Sequence, residues 1–422
     1  MMLRLAVQCP GCEQDVVVRI GMDTTERTRF YFPCPYQDCG LPIRGTVFSG
    51  DGSAFTVKFP DDIERDLASV PEDALVTTAN PFVPGSFDAG SLDAFGGSSM
   101  FALDHLLGDR MFDFGAQRSK AAEVLRDLWP PARRLYEYYL AERWEGFSRT
   151  IGKYFDDWNL PRDAKTHARA VAAHQPMLAV TWNIVEPSEA TAQFLETFCQ
   201  VHLQAVKTPA YAELLKEDGD IGKVQALQRG VFDALERFVP RYEMWAMGAL
   251  RRFMDESRHA ELDRLTLARD EFDETGPLYQ HAFEAISKVL RFPVAAQNTL
   301  QRGDPNNFGD VHPQTVPIDE RPRTMSQFER ISNAHKIAYV NQIDEWQAFC
   351  SILDNKIRNN IGHSSARHDL RSGRVVSEKD ALGVSYTTFL AGVYEIFGAL
   401  AVTSQLLRSV RITSSRDWPP RS

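Results

Sequence analysis

Lys356-Ile357-Arg358-Asn359-Asn360-Ile361-Gly362-His363 is the stretch on which the reading of the chain turns. An arginine, a polar residue directly after it and a histidine five positions on form a compact set of phosphate-handling groups. The guanidinium is a fixed fork of donors for phosphate oxygens, and an imidazole can carry a proton near neutral pH. Upstream, Tyr339, Ile343, Trp346, Cys350, Leu353 and Ile357 recur at steps of four and three, which is one stripe of an α-helix. Ser326-Gln327-Phe328-Glu329 has the form of a capping box, so one long helix is predicted over 324–360. The Asn-Asn-Ile-Gly run suits a helix C-terminus with a left-handed cap. A helix ending near Asn360 would let His363 swing back toward Arg358. Downstream, Tyr386, Leu390, Val393, Phe397, Leu400 and Leu407 mark a second amphipathic helix.

These residues resemble the HEPN superfamily (higher eukaryote and prokaryote nucleotide-binding domains). Its hallmark is R-x(4–6)-H, with Asn, Asp or His directly after the arginine, between two long helices. Arg358, Asn359 and His363 match it position for position, and the resemblance covers residues 324–411. It implies a metal-independent endoribonuclease of the kind found in anti-phage defence or toxin systems, acting on RNA as a homodimer with a composite groove. His363 would exchange the proton, Arg358 would stabilise charge on the phosphorane, and Asn359 would orient the histidine or bind a phosphate oxygen. Attack by the 2′-hydroxyl would leave a 2′,3′-cyclic phosphate and a 5′-hydroxyl. The alternatives are a non-catalytic nucleotide- or RNA-binding module and a zinc-ribbon adaptor whose helices bind protein partners. In the bland reading of the motif, Arg358 pairs with Asp354 one helical turn away and His363 caps the helix end.

The net charge of -10, from 47 basic and 57 acidic residues, excludes bulk charge as the means of holding nucleic acid. A local patch remains. Lys356, Arg367 and Arg371 are the candidate RNA-binding residues beside the motif, against the alternative of a solvated loop.

At the other end, Cys9-Pro10-Gly11-Cys12 and Cys34-Pro35-Tyr36-Gln37-Asp38-Cys39 are two cysteine knuckles set between β-type runs. Four thiolates at this spacing match a closed tetrahedral Zn²⁺ site, structural rather than catalytic, in a zinc ribbon. A segment this small needs such a staple to fold. Residues 1–60 are therefore the predicted ribbon, which could also seat a protein partner. Residues 61–118, rich in Gly, Pro and Ser between scattered phenylalanines, read as a linker partly docked on the body.

Residues 119–300 read as an all-α middle domain of no recognised family, and 301–323 as a long proline-bearing loop. The stripe Tyr136, Leu140, Trp144, Phe147, Ile151, Tyr154 and Trp158 falls at helical spacing and reads as core rather than as a base-stacking surface. The fold class is thus mainly α: a multi-helix body ending in a HEPN-like bundle at 324–411, preceded by a small β zinc ribbon. No phosphate-binding P-loop, dinucleotide fingerprint, zinc-protease HExxH or nucleophile elbow occurs. The N-terminus is too quickly polar for a signal peptide, and no apolar run reads as long enough to span a membrane. The expectation is a cytoplasmic protein with reduced cysteines.

Overall fold

The computed structural model describes residues 2–21, 27–49, 55–60, 62–82, 84–85, 99–155, 166–310, 312–362, 365–378 and 380–415. The protein is mainly α, with β-structure at the N-terminus and a short sheet near the C-terminus. Packing divides the chain into two units, each discontinuous in sequence. Residues 1–116, 242–277 and 359–394 form the first, and 117–241, 278–358 and 395–422 the second.

In the first unit, strand β1 (Met2–Gln8) pairs antiparallel with β2 (Asp15–Gly21), Gln8 opposite Asp15. β2 is a β-branched run, Val16-Val17-Val18, whose side chains suit a pleated and crowded surface. Val16, Val18 and Ile20 are fully buried. The antiparallel pair β3 (Arg27–Pro33) and β4 (Pro42–Ser49) is extended by β5 (Phe55–Lys58). At Phe30↔Gly45 the phenylalanine ring lies where a side chain on residue 45 would stand: a Cβ there would come within 2.5 Å of it. Two short strands finish the first sheet, in the order β6-β1-β2-β7, with β6 (Glu64–Arg65) and β7 (Leu75–Ala79) at its edges. β7 runs parallel to β2, Val16 opposite Leu75 and Ile20 opposite Ala79. Part of the stretch read as linker therefore completes a sheet. It also carries the helices Ser99–Leu107 and Met111–Glu123. The third sheet, β10-β9-β8, is built from β8 (Ala366–Asp369), β9 (Arg374–Ser377) and β10 (Asp380–Ser385).

The second unit is helical. Its helices begin and end where the sequence places breakers and caps. Ser188 accepts from Thr191 N at the start of Glu189–Ala205, Pro209 opens Pro209–Asp220, and Gly303 at φ 78° closes Arg291–Arg302. Of the aromatic stripe, Tyr136, Phe147 and Ile151 are buried, as the core reading requires. Tyr154 is 43% exposed, and Trp158 lies outside the described residues.

The predicted single helix over 324–360 is instead four short ones: Met325–Phe328, Asn333–Val340, Asp344–Ile352 and Asn355–Gly362. The cause is local. Ser332 Oγ accepts from His335 N at 3.2 Å, and Asp354 Oδ1 accepts from Lys356 N at 2.7 Å and Ile357 N at 3.2 Å. Each such side chain offers the backbone a partner that competes with the helical ladder. The capping box also lies two residues earlier than expected: Thr324 Oγ1 accepts from Gln327 N, and Gln327 Oε1 accepts from Arg323 N at 2.7 Å. Of the apolar stripe, Tyr339, Trp346, Cys350 and Leu353 are buried, and Ile343 and Ile357 are half-buried. Helix Tyr386–Thr413, by contrast, has the length and apolarity of a membrane span, which the sequence reading did not credit to any segment. Its most apolar window is 89% buried within the protein, as a core helix is.

Two histidines in the second unit are wholly enclosed. His174 lies 2.9 Å from Tyr136 Oη and 2.8 Å from the Ala170 carbonyl, and burial pushes its pKa down to about 3. His202 sits between Tyr211 Oη at 3.0 Å and Thr413 Oγ1 at 2.9 Å, and is pushed down to about 4. Both depressed values lie below the unfolded value of about 6.5. The unfolded chain therefore binds protons that the folded chain refuses, and stability present above about pH 6.5 is lost as pH falls toward 4. We expect about 2–3 kcal/mol of stability to disappear between about pH 7.5 and 5.5 through these two groups. Urea denaturation at the two pH values measures it, and equal midpoints would refute it.

Candidate functional site

The turn between β1 and β2 carries Cys9 and Cys12, and the turn between β3 and β4 carries Cys34 and Cys39. Each knuckle is shaped by its own backbone. Cys9 N donates to Gln14 O and Glu13 N to Cys9 O, both at 2.9 Å, while Cys34 N donates to Leu41 O at 2.9 Å and Cys39 N to Tyr36 O at 3.0 Å. Tyr36 Oη also reaches across to the Asp15 carbonyl at 3.0 Å, tying the second knuckle to β2. The four sulfurs lie within 4.8 Å of one another, the one such cluster of metal-ligating groups among the described residues. Cys9 Sγ is 3.6 Å from Cys39 Sγ, and Cys12 Sγ is 3.7 Å from Cys34 Sγ.

Burial pushes the Cys34 thiol well up. Burial also acts on Cys9, but N–H groups of Cys12 and Gly11 outweigh it and hold that thiol below its ordinary value. The Gly11 N–H contact is 3.4 Å. Four sulfurs this close cannot all ionise without a cation among them. The arrangement is compatible with a metal site.

The motif residues lie on and after the helix Asn355–Gly362. Arg358 is half-buried, and its Nη2 lies 2.9 Å from Glu284 Oε1. No ion pair joins it to Asp354, whose carboxylate is spent on the helix start. Burial acts to raise the Glu284 pKa, but Gln280 and the Arg358 guanidinium outweigh it and hold the carboxyl below its ordinary value. Asn359 is half-buried on the same helix, and Lys356 is exposed. His363 lies outside the described residues. Arg367 stands exposed on β8, and Arg371 is exposed in the turn that follows. Lys356 and Arg358 fall in the second unit; Asn359, Arg367 and Arg371 fall in the first.

Two residues escaped the sequence reading. Glu284 is 74 positions from Arg358, with no local signal to join them. His368, on β8, stacks on Tyr386 with ring centroids 4.5 Å apart, and its Nε2 lies 3.4 Å from Tyr31 Oη. Burial pushes its pKa down to about 4. Comparison of the chain with protein-family models, curated proteins and solved structures finds no match.

The cysteine-bearing strands are not an isolated module within their unit. Tyr31 N donates to Ala268 O, Asp270 N to Arg29 O, and Arg44 pairs with Asp270 at 3.0 Å. Stripping the metal with a strong chelator should therefore remove amide-exchange protection from β1–β4 and also from residues 266–271 and 366–369. Cys34→Ser should do the same. Protection lost from the cysteine hairpins alone would show that they unfold independently, and protection unchanged everywhere would show that no metal supports them.

Proposed function

We propose that the chain is a cytoplasmic endoribonuclease of the HEPN type, active as a homodimer, with Arg358, Asn359 and His363 as its catalytic residues. The observation that supports this most is the setting of Arg358: partly exposed, on a short helix, with its guanidinium oriented by Glu284. An oriented guanidinium can bind the phosphorane oxygens without rearranging at the moment of reaction. In the step proposed, the ribose 2′-oxygen forms a bond to phosphorus and the bond from phosphorus to the 5′-oxygen breaks. Imidazole at His363 exchanges the proton between the entering and leaving oxygens. Lys356, Arg367 and Arg371 are exposed and would meet backbone phosphates.

The cysteine site is proposed to hold Zn²⁺. Bonds of about 2.3 Å in a tetrahedron place sulfurs about 3.8 Å apart, close to the 3.6 and 3.7 Å of the two cysteine pairs. A closed set of four thiolates leaves no position for water or substrate, so the ion's part is to fix the β-hairpins. Its exposed surface would then be where a protein partner docks.

One observation favours a second reading. The Arg358–Glu284 pair is also what a structural clamp looks like, and in that case the chain is a non-catalytic RNA- or nucleotide-binding protein. Incubation with single-stranded RNA in a chelator mild enough to leave the cysteine site loaded separates the two. The enzyme should yield cyclic-phosphate and 5′-hydroxyl ends. His363→Ala should abolish cleavage, and Arg358→Ala should lower it on the order of a hundredfold or more while both variants remain folded. RNA bound but left intact, by wild type and variants alike, would establish the second reading.

A further inference from the structure

In the second unit a cavity of about 770 Å³ opens beside the loop that precedes the helix Met325–Phe328. Arg321, Arg323 and Arg330 all line it, together with His312. None of the three guanidinium groups has a carboxylate partner within ion-pair distance among the described residues. The one polar contact of their side chains is Arg321 Nε to the Val316 carbonyl at 3.5 Å. Of the acids at the same cavity, Glu320 is engaged by His335 Nδ1 at 2.9 Å, and Asp310 and Asp319 remain. His312 is oriented by Tyr339, whose Oη lies 2.6 Å from Nδ1. Burial first, then the charge of Arg321, lowers the His312 pKa.

A guanidinium cannot shed its charge, and three of them without a carboxylate at ion-pair distance on one concave surface can converge on an anion. The volume falls in the range of small-molecule sites, roughly 300–1000 Å³. Its apolar surface is Ile318, Pro322 and Ile331. Asp310 and Asp319, acceptors only, suit hydroxyl groups. We infer that this cavity binds a phosphorylated polyol, a sugar phosphate, with the arginines on the phosphate and the aspartates on the hydroxyls.

Calorimetric titration of the full chain with ribose 5-phosphate, ribose and inorganic phosphate tests it. Ribose 5-phosphate should bind more tightly than inorganic phosphate, and ribose alone should give no measurable heat. Arg323 and Arg330 are both exposed, so the double variant Arg323→Gln, Arg330→Gln should fold, with unchanged thermal melting, and should bind ribose 5-phosphate at least tenfold more weakly. Lack of binding by wild type at millimolar ligand would overturn the inference. So would equal affinity in the double variant, or inorganic phosphate binding as tightly as ribose 5-phosphate.

Discussion

The first unit depends on an ion pair with almost no access to water. Arg269 and Glu271 are each 2% exposed, with guanidinium nitrogens 2.7 and 2.8 Å from one carboxylate oxygen. Burying two charges costs more than their attraction returns unless the remaining donors and acceptors are also satisfied. Here they are. Arg269 Nη1 donates to the Glu243 carbonyl at 2.7 Å, and Glu271 Oε1 accepts from Arg29 N at 3.3 Å. Loss of either partner would leave an uncompensated charge, a penalty of about 3–5 kcal/mol. The pair thus fixes β3 against residues 243 and 266–271, three pieces far apart in the sequence. Cys34 directly follows β3, so the same bonds help to position the cysteine knuckles.

This explains which parts of the fold were legible. The cysteine spacing announces itself because a metal site needs its ligands on two tight turns, and tight turns are local. The period of the helices is local as well, and the mainly α class follows from it. Parallel pairing of β7 with β2 is different, because the partners are about 60 residues apart and a parallel pair needs no short turn to advertise it. Arg269 and Glu271 are charged residues in the core, and Asp273 and Glu274 both clasp Arg29, some 240 positions away. What the sequence could not supply is the identity of each charge's partner.

The four-way break of the 324–360 segment teaches a narrower lesson. Its apolar stripe is genuine and largely buried, so periodicity correctly identified the face. Periodicity is blind to the caps inside it, where Ser332 and Asp354 each out-compete the helix for a few amide groups. The break at Asp354 is also held from outside: Tyr279 Oη accepts from Asp354 N at 2.9 Å. Asp354 Oδ1 starts the helix Asn355–Gly362, and the ion pair of Arg358 is made with Glu284 instead.

The Arg358–Glu284 pair constrains how the arginine could act on phosphate. A guanidinium has five donors, and the Glu284 contact at 2.9 Å is made by one nitrogen. The carboxylate stays ionised, since its pKa is held low. An approaching phosphodiester therefore meets a pair of net charge zero and gains little from long-range attraction. A phosphorane carries more negative charge on the oxygens nearest the guanidinium and gains more from it. What the Glu284 contact can supply is orientation: a guanidinium already held in place needs no rearrangement as that charge develops. For the proposed ribonuclease, in an acidic chain, affinity for RNA would come from a few exposed cations, while Arg358 would act at the scissile phosphate.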